Sequence, residues 1–284
     1  MAAHATHSAG GVASNSEDES RCLLLALSHD ELGIVVDGLA DPLQPVVAVA
    51  FSSTCLGLRT PLQATLEVLK ERHERAVTLC DHWSVSCAWL RGAKELHWNY
   101  RTTPVNMATL GMILRTRGLP SLQTLLLGDN IFLGDASVQA MCDGLGHGAV
   151  PSLRCLYLGN IGNMDNPFGP AGTEALAAAI GRGAMPKLEE LSLNSNRLGN
   201  QGMATLTKLR TLPALRMLNL SCCKIGDEGV ASLFGGLGKD DFKALNKLWL
   251  DFNFITKAGV TIFFKFLEDG ALPKLEGFTL GEQW

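Results

Sequence analysis

Three clusters in this chain bring together side chains able to do chemistry. His29, Asp30 and Glu31 stand in a row in "SHDEL" and could form an acid–base group. Cys80 stands two residues from His82 in "CDHW". "GNIGNMDNPFG" (159–169) gathers Asn and Asp oxygens of the kind that hold calcium. Each cluster fails on spacing or setting. The HDE run sits at a predicted helix start, where carboxylates suit the helix dipole. Cys80 and His82 have no defined third partner, so packing explains them. The 159–169 stretch lacks the D-x-D-x-D-G spacing of a calcium loop and reads as a loop insertion. The eight cysteines include no C-x-x-C pair and the seven histidines are scattered, so no zinc site is expected. The chain is therefore expected to be no enzyme, with no catalytic residue, cofactor or metal.

Composition narrows the partners. The 284 residues leave room for one or two domains, and 46% hydrophobic content supports an extended core. Net charge is −4, and no run of Lys and Arg points to nucleic acid or an anionic membrane. No apolar run reaches the ~18 residues of a membrane span. Residues 1–20, "MAAHATHSAGGVASNSEDES", are small, polar and acidic; they read as a disordered tail and not as a signal peptide. Cysteines without a disulfide framework fit an intracellular chain, cytoplasmic or nuclear.

The elements that must position any site come from a recurring skeleton. "LEELSLNSNRL" (188–198) places leucines at 188, 191, 193 and 198 around Asn196. The same offsets recur in "LQTLLLGDNIF" (122–132), "LRMLNLSCCKI" (215–225) and "LNKLWLDFNFI" (245–255). "LRCLYL" (153–158), "AKELHW" (93–98) and "LEGFTL" (275–280) are shorter copies. The second apolar position falls at 96, 125, 156, 191, 218, 248 and 278, a period near 30. In L-x-L the two leucines point to one side of a strand and the middle residue to the other. Leu191 and Leu193 are thus expected inside and Ser192 outside. Asn196 ends the strand as a buried amide, and Cys223 takes that place once. The second half of each repeat reads as a helix. Residues 171–183 put Leu176, Ala179 and Ile180 on one face, and residues 258–270 put Val260, Phe263, Phe264 and Leu267 on one face. One strand and one helix cannot bury their apolar faces alone, whereas stacked neighbours can.

Over residues 93–284 the sequence resembles leucine-rich repeats of the ribonuclease-inhibitor type. The marks are the repeat length and the helix starts "GTEAL" (172–176), "GMATL" (202–206) and "GVASL" (229–233). The resemblance implies an α/β horseshoe solenoid of about seven repeats, with parallel strands on the concave face and helices on the convex face.

Residues 21–75 do not follow the repeat. Ser28 is a predicted helix N-cap with Glu31 at capping-box spacing. The helix carries Leu32, Val35, Val36 and Leu39 and breaks at "ADP" (40–42). An apolar stretch follows from Val46 to Phe51, then a helix from about Leu62 to Arg75. This order resembles an F-box. The resemblance implies a small helical domain that docks a ubiquitin-ligase adaptor through Leu27, Glu31, Leu32, Ile34, Leu39, Pro42 and Leu43, with Cys55 and Leu58 completing the pattern. Ser28 stands where that family has proline, and its late tryptophan is absent. A plain helical cap over the first repeat is the other reading of this block. Residues 76–92 read as a linker or degenerate first repeat.

The free positions between the leucines form the outward surface. They place His97, Tyr157 and Trp249 between paired leucines, Tyr100, Asp129 and Phe252 farther along, Glu190 one step before, and Asp251 between Trp249 and Phe252. These eight residues form the expected protein-binding set, because outward aromatics gain nothing from the core and Trp and Tyr anchor interfaces. Asp129, Glu190 and Asp251 would steer a basic segment. The implied function is substrate recognition in a cullin-type ubiquitin ligase. The alternatives are a plain interaction scaffold, or a small-GTPase regulator, since "IGDEGVASL" (225–233) and "LGNQGMATL" (198–206) also resemble the Ran GTPase-activating protein.

Overall fold

The structure, a computed structural model, describes residues 27–53, 56–98, 102–128, 133–159, 168–238 and 240–281. Seven three-residue strands form one parallel sheet in chain order: β1 (Glu95–His97), β2 (Thr124–Leu126), β3 (Cys155–Tyr157), β4 (Glu190–Ser192), β5 (Met217–Asn219), β6 (Lys247–Trp249) and β7 (Gly277–Thr279). The register is constant. Leu96, Leu125, Leu156, Leu191, Leu218, Leu248 and Phe278 align across it. Each returning chain is helical, as a parallel pairing requires.

The N-terminal helices are α1 (His29–Leu39), α2 (Val46–Ser53), α3 (Leu56–His82) and α4 (Cys87–Gly92). Between strands lie α5 (Pro104–Arg115), α6 (Asp135–Cys142), α7 (Pro170–Gly181), α8 (Gly199–Thr205) with a 3-10 extension at Leu206–Thr211, α9 (Asp227–Phe234) and α10 (Lys257–Glu268). Their apolar faces share one core with the inward leucines of β1 to β6. Each fully buried leucine contributes roughly 1.5–3 kcal/mol. Leu176, Ala179 and Ile180 lie in that core as expected. Phe264 does not: it is exposed and meets the rings of Phe263 and Phe278, beside the last strand in the order.

Stacked repeats finish one another's helices. The N-caps of α7 and α9 are Gly169 and Gly226, which have no capping side chain of their own. Asp135, from the start of α6, instead accepts from the N–H groups of Gly169 and Gly172, at 2.7 Å each. Asn200 accepts from Gly226 N–H at 2.8 Å, and Asp227 from Thr256 N–H at 2.8 Å. This contact explains the glycine in the helix starts. A Cβ on Gly259 would stand 2.1 Å from Asp227 Oδ1, and one on Gly229 would stand 2.8 Å from Asn200 Oδ1. Helix C-termini are closed in the same way. Arg182 donates to the carbonyls of Leu145 and Cys142, and Arg210 to those of Ser232, Leu233 and Gly235. Cations suit that end of the dipole.

The Thr256 hydroxyl, more than the backbone N–H groups beside it, holds the Asp227 carboxyl below its usual range. A depressed folded-state value means that the stabilisation is present above the ordinary carboxylate range and is lost as pH falls through the folded-state value. Asp227→Ala is expected to cost about 1 kcal/mol at neutral pH, the size of a lost cap. The gap between variant and wild type should narrow in acid, as pH falls below the ordinary aspartate range. Thermal melts at neutral and acid pH test this; a gap that persists in acid would mean that the carboxylate is not its source.

The first helices carry a second, smaller core of Leu32, Val36, Ala40, Ala48, Leu62 and Leu69. The capping box is present. Glu31 N–H donates to Ser28 Oγ at 3.2 Å, and Ser28 N–H donates to Glu31 Oε2 at 2.8 Å. The apolar stretch 46–51 is helical within α2. The helix expected over 62–75 is instead 27 residues long and starts before Pro61. It carries Ala76, Leu79 and Cys80 into the repeat core. Leu43 joins that core too, and Arg91 pairs with Asp41 at 2.5 Å.

Candidate functional site

The helix-free face of the sheet is built by the two positions flanking each central inward residue. One row runs Glu95, Thr124, Cys155, Glu190, Met217, Lys247, Gly277. The other runs His97, Leu126, Tyr157, Ser192, Asn219, Trp249, Thr279. Pairing brings Tyr157 close to Glu190, and the Tyr157 hydroxyl donates to Glu190 Oε2. Burial, and then that bond, hold the Tyr157 phenol above its usual range. Burial, and then the Glu190 charge, push the neighbouring Cys155 thiol up. Cys155 thus lies on the strand face and not in the amide ladder. His97 and Glu95 meet at 3.6 Å, both open to solvent.

Trp249 sits on β6 between Asn219 and Thr279 and is half-buried. Ser192, expected outside, lies on this face but is buried between Tyr157 and Asn219. Its hydroxyl donates to Asn194 Oδ1 at 2.6 Å. Asp251 is held by the next turn: it accepts from the Thr279 hydroxyl and, at 2.8 Å, from Gly281 N–H. Phe252 is not a strand residue. β6 ends at Trp249, and Phe252 has a left-handed backbone with φ 56, as do Ser195 (φ 57) and Cys222 (φ 57) in the same column. That column leaves the strand face, which spacing alone does not reveal. Phe252 is nevertheless exposed, as is Phe254. Tyr100 and Asp129 lie outside the described residues.

The ladder beneath this face matches the expectation from sequence. Asn196 Nδ2 donates to the carbonyls of Leu158 and Leu193 at 3.2 and 2.8 Å. Asn253 Nδ2 donates to those of Leu220 and Leu250 at 3.0 and 2.9 Å. Asn253 Oδ1 also accepts from the N–H groups of Cys223 and Ile225. Cys223 Sγ reaches Leu193 O at 3.1 Å, so the thiol occupies one rung.

This geometry is that of a stacked repeat with an amide ladder, and a Leucine Rich repeat family model matches residues 184–207 and 211–234. Those two stretches are leucine-rich repeats, and the same strand register runs through all seven strands. No curated protein matches it. Leucine-rich repeats serve as protein-interaction modules, and the strand face is the candidate surface here. Among the described residues no group of three or more His, Cys, Asp or Glu could hold a metal ion. No helix among them is long and apolar enough to cross a membrane. Arg154 is paired with Glu189 at 2.7 Å.

The N-terminal residues divide by burial. Leu32, Pro42 and Leu43 are inside, and Leu27 and Leu39 pack half-buried against the smaller core. Glu31 is exposed but engaged with Ser28. Ile34 is 73% exposed, and Val46, Val47 and Val49 are open as well. Those three valines, which the F-box pattern does not single out, are the large apolar side chains that α2 opens to solvent. Cys55 lies outside the described residues, and the Leu58 side chain is not described.

Proposed function

We propose that this leucine-rich-repeat protein is a non-catalytic recognition subunit of a cullin-type ubiquitin ligase. Its concave strand face holds a protein target, and its N-terminal helices form an F-box-like domain that docks the ligase adaptor. It works in the cytoplasm or nucleus. The observation that carries the reading is the open apolar set Ile34, Val46, Val47 and Val49 beside a small separate core. Exposed apolar clusters mark interaction surfaces. The buried members of the F-box pattern shape that domain, and the open ones make the contact.

The test is a binding titration of the purified adaptor against the full chain. Wild type is expected to bind at about micromolar concentration or tighter, a free energy near −8 kcal/mol. Changing Ile34, Val46 and Val49 together to Asp should weaken binding by at least ~2 kcal/mol, the scale of interface anchors. The melting temperature should hold, because these side chains are outside the core. Absence of adaptor binding by wild type would leave the N-terminal helices as a cap over the first repeat.

A further inference from the structure

Two thiols away from the strand face stand close enough to bond. Cys80 lies in the last turn of α3 and Cys87 opens α4, with their sulfurs 3.4 Å apart. The turn between them is already formed. Val85 N–H donates to Cys80 O at 2.9 Å, Ser84 N–H to Asp81 O at 3.0 Å, and Ser84 adopts a left-handed φ of 54. Cys80 is buried and Cys87 half-buried. Among the described residues the pair has no companions that would make a metal site. The chemistry left to it is that of a dithiol.

We infer that Cys80 and Cys87 form a reversible redox-modification site whose oxidant is a small disulfide of the glutathione class. A disulfide needs its sulfurs at about 2.05 Å, so closure asks for roughly 1.3 Å of approach. That distance is within the reach of side-chain torsion. Cys87 is the more accessible sulfur and attacks first. Its thiolate displaces one glutathione from oxidised glutathione and forms a mixed disulfide; the released glutathione thiolate takes up the proton that Cys87 lost. Burial, and then the bond to Cys87, push the Cys80 thiol up to about 12, so Cys80 is a poor first nucleophile and acts as the resolving thiol. Its sulfur attacks Cys87 Sγ, the second glutathione leaves, and the Cys80 proton ends on that departing sulfur. Two protein thiols are oxidised, and one glutathione disulfide is reduced to two thiols.

The bond would act at a joint. α3 carries residues of both the small N-terminal core and the repeat core. α4 delivers Leu90 to the repeat core and Arg91 to Asp41, shortly before β1. Oxidation would tie these helix ends together and stiffen the connection between the N-terminal helices and the first repeat.

The full chain is equilibrated in glutathione buffers from fully reduced to fully oxidised, trapped with iodoacetamide and mapped by mass spectrometry. The expected result is a tryptic peptide spanning residues 76–91 that is two hydrogens lighter and unalkylated, while Cys142 and Cys223 remain thiols. The oxidised wild type should melt higher than the reduced form, and Cys87→Ser should show no such rise. Cys80→Ala should accumulate Cys87 as a stable mixed disulfide. In wild type, a stable mixed disulfide at Cys87 would overturn the inference. So would two alkylated thiols under oxidised glutathione alone.

Discussion

Replacing Asn253 by leucine is expected to remove about 3–5 kcal/mol of stability, because each stranded buried polar group costs about 1–3 kcal/mol. Asn253 is fully buried and bridges two turns. Its Oδ1 accepts from the Cys223 and Ile225 N–H groups, and its Nδ2 donates to the carbonyls of Leu220, Leu250 and Asp251. Leucine matches the volume but makes none of these bonds, and water cannot reach the groups left behind. At about 2–4 °C per kcal/mol for a chain of this size, the melting temperature should fall by roughly 10 °C. Asn196→Leu should lose less, about 1–3 kcal/mol. Its described bonds all run from Nδ2, to the carbonyls of Leu158, Leu193 and Asn194. Urea and thermal melts of both variants provide the check. A change of under ~1 kcal/mol for Asn253→Leu would remove the ladder as a main source of repeat cohesion.

Trp249→Ala is expected to weaken target binding by at least ~2 kcal/mol, about thirty-fold, with little change in melting temperature. The Trp249 side chain lies on the helix-free face, outside the shared core. Its backbone carbonyl, which accepts from Leu220 N–H at 2.9 Å, is kept in the variant. Tyr157 on β3 and Glu190 on β4 offer a second, polar anchor, three and two strands from the β6 of Trp249 and already oriented by their own hydrogen bond. Asp251 keeps its charge, but Thr279 and Gly281 hold it, so it is the less adaptable contact. The target is first recovered by affinity purification with the full chain, then titrated against wild type and variant. Undiminished affinity, or a melt lowered by many degrees, would take Trp249 out of the binding surface. Phe252 and Phe254, exposed in the turn beyond β6, would then be the next residues to test.

Much of this arrangement was legible in the residues. The spacing of Leu191 and Leu193, repeated about every 30 positions, determines seven strands, their parallel order and their register. It does so because alternation along a strand and stacking between repeats both depend on simple periods. Ser28 and Glu31 announced their capping box because its partners are three residues apart. Asn196 and Cys223 were readable as rungs for the same reason of position.

Tertiary structure alone decided what depends on the neighbouring turn. It buried Ser192 between Tyr157 and Asn219, and it left Phe264 and the β7 residue Phe278 open at the end of the sheet. It carried α3 through Pro61 to His82, where sequence alone placed a helix start, because packing against α1, α2 and α5 outweighs one lost backbone bond. It turned the Phe252 backbone left-handed, out of the strand row. It also gave the helix-start glycines Gly172, Gly229 and Gly259 a reason, which is the carboxylate or amide of the preceding repeat. Local periods are encoded within a few residues. Burial, and the capping of one repeat's helix by the repeat before it, are set by groups brought close only when the chain folds back on itself.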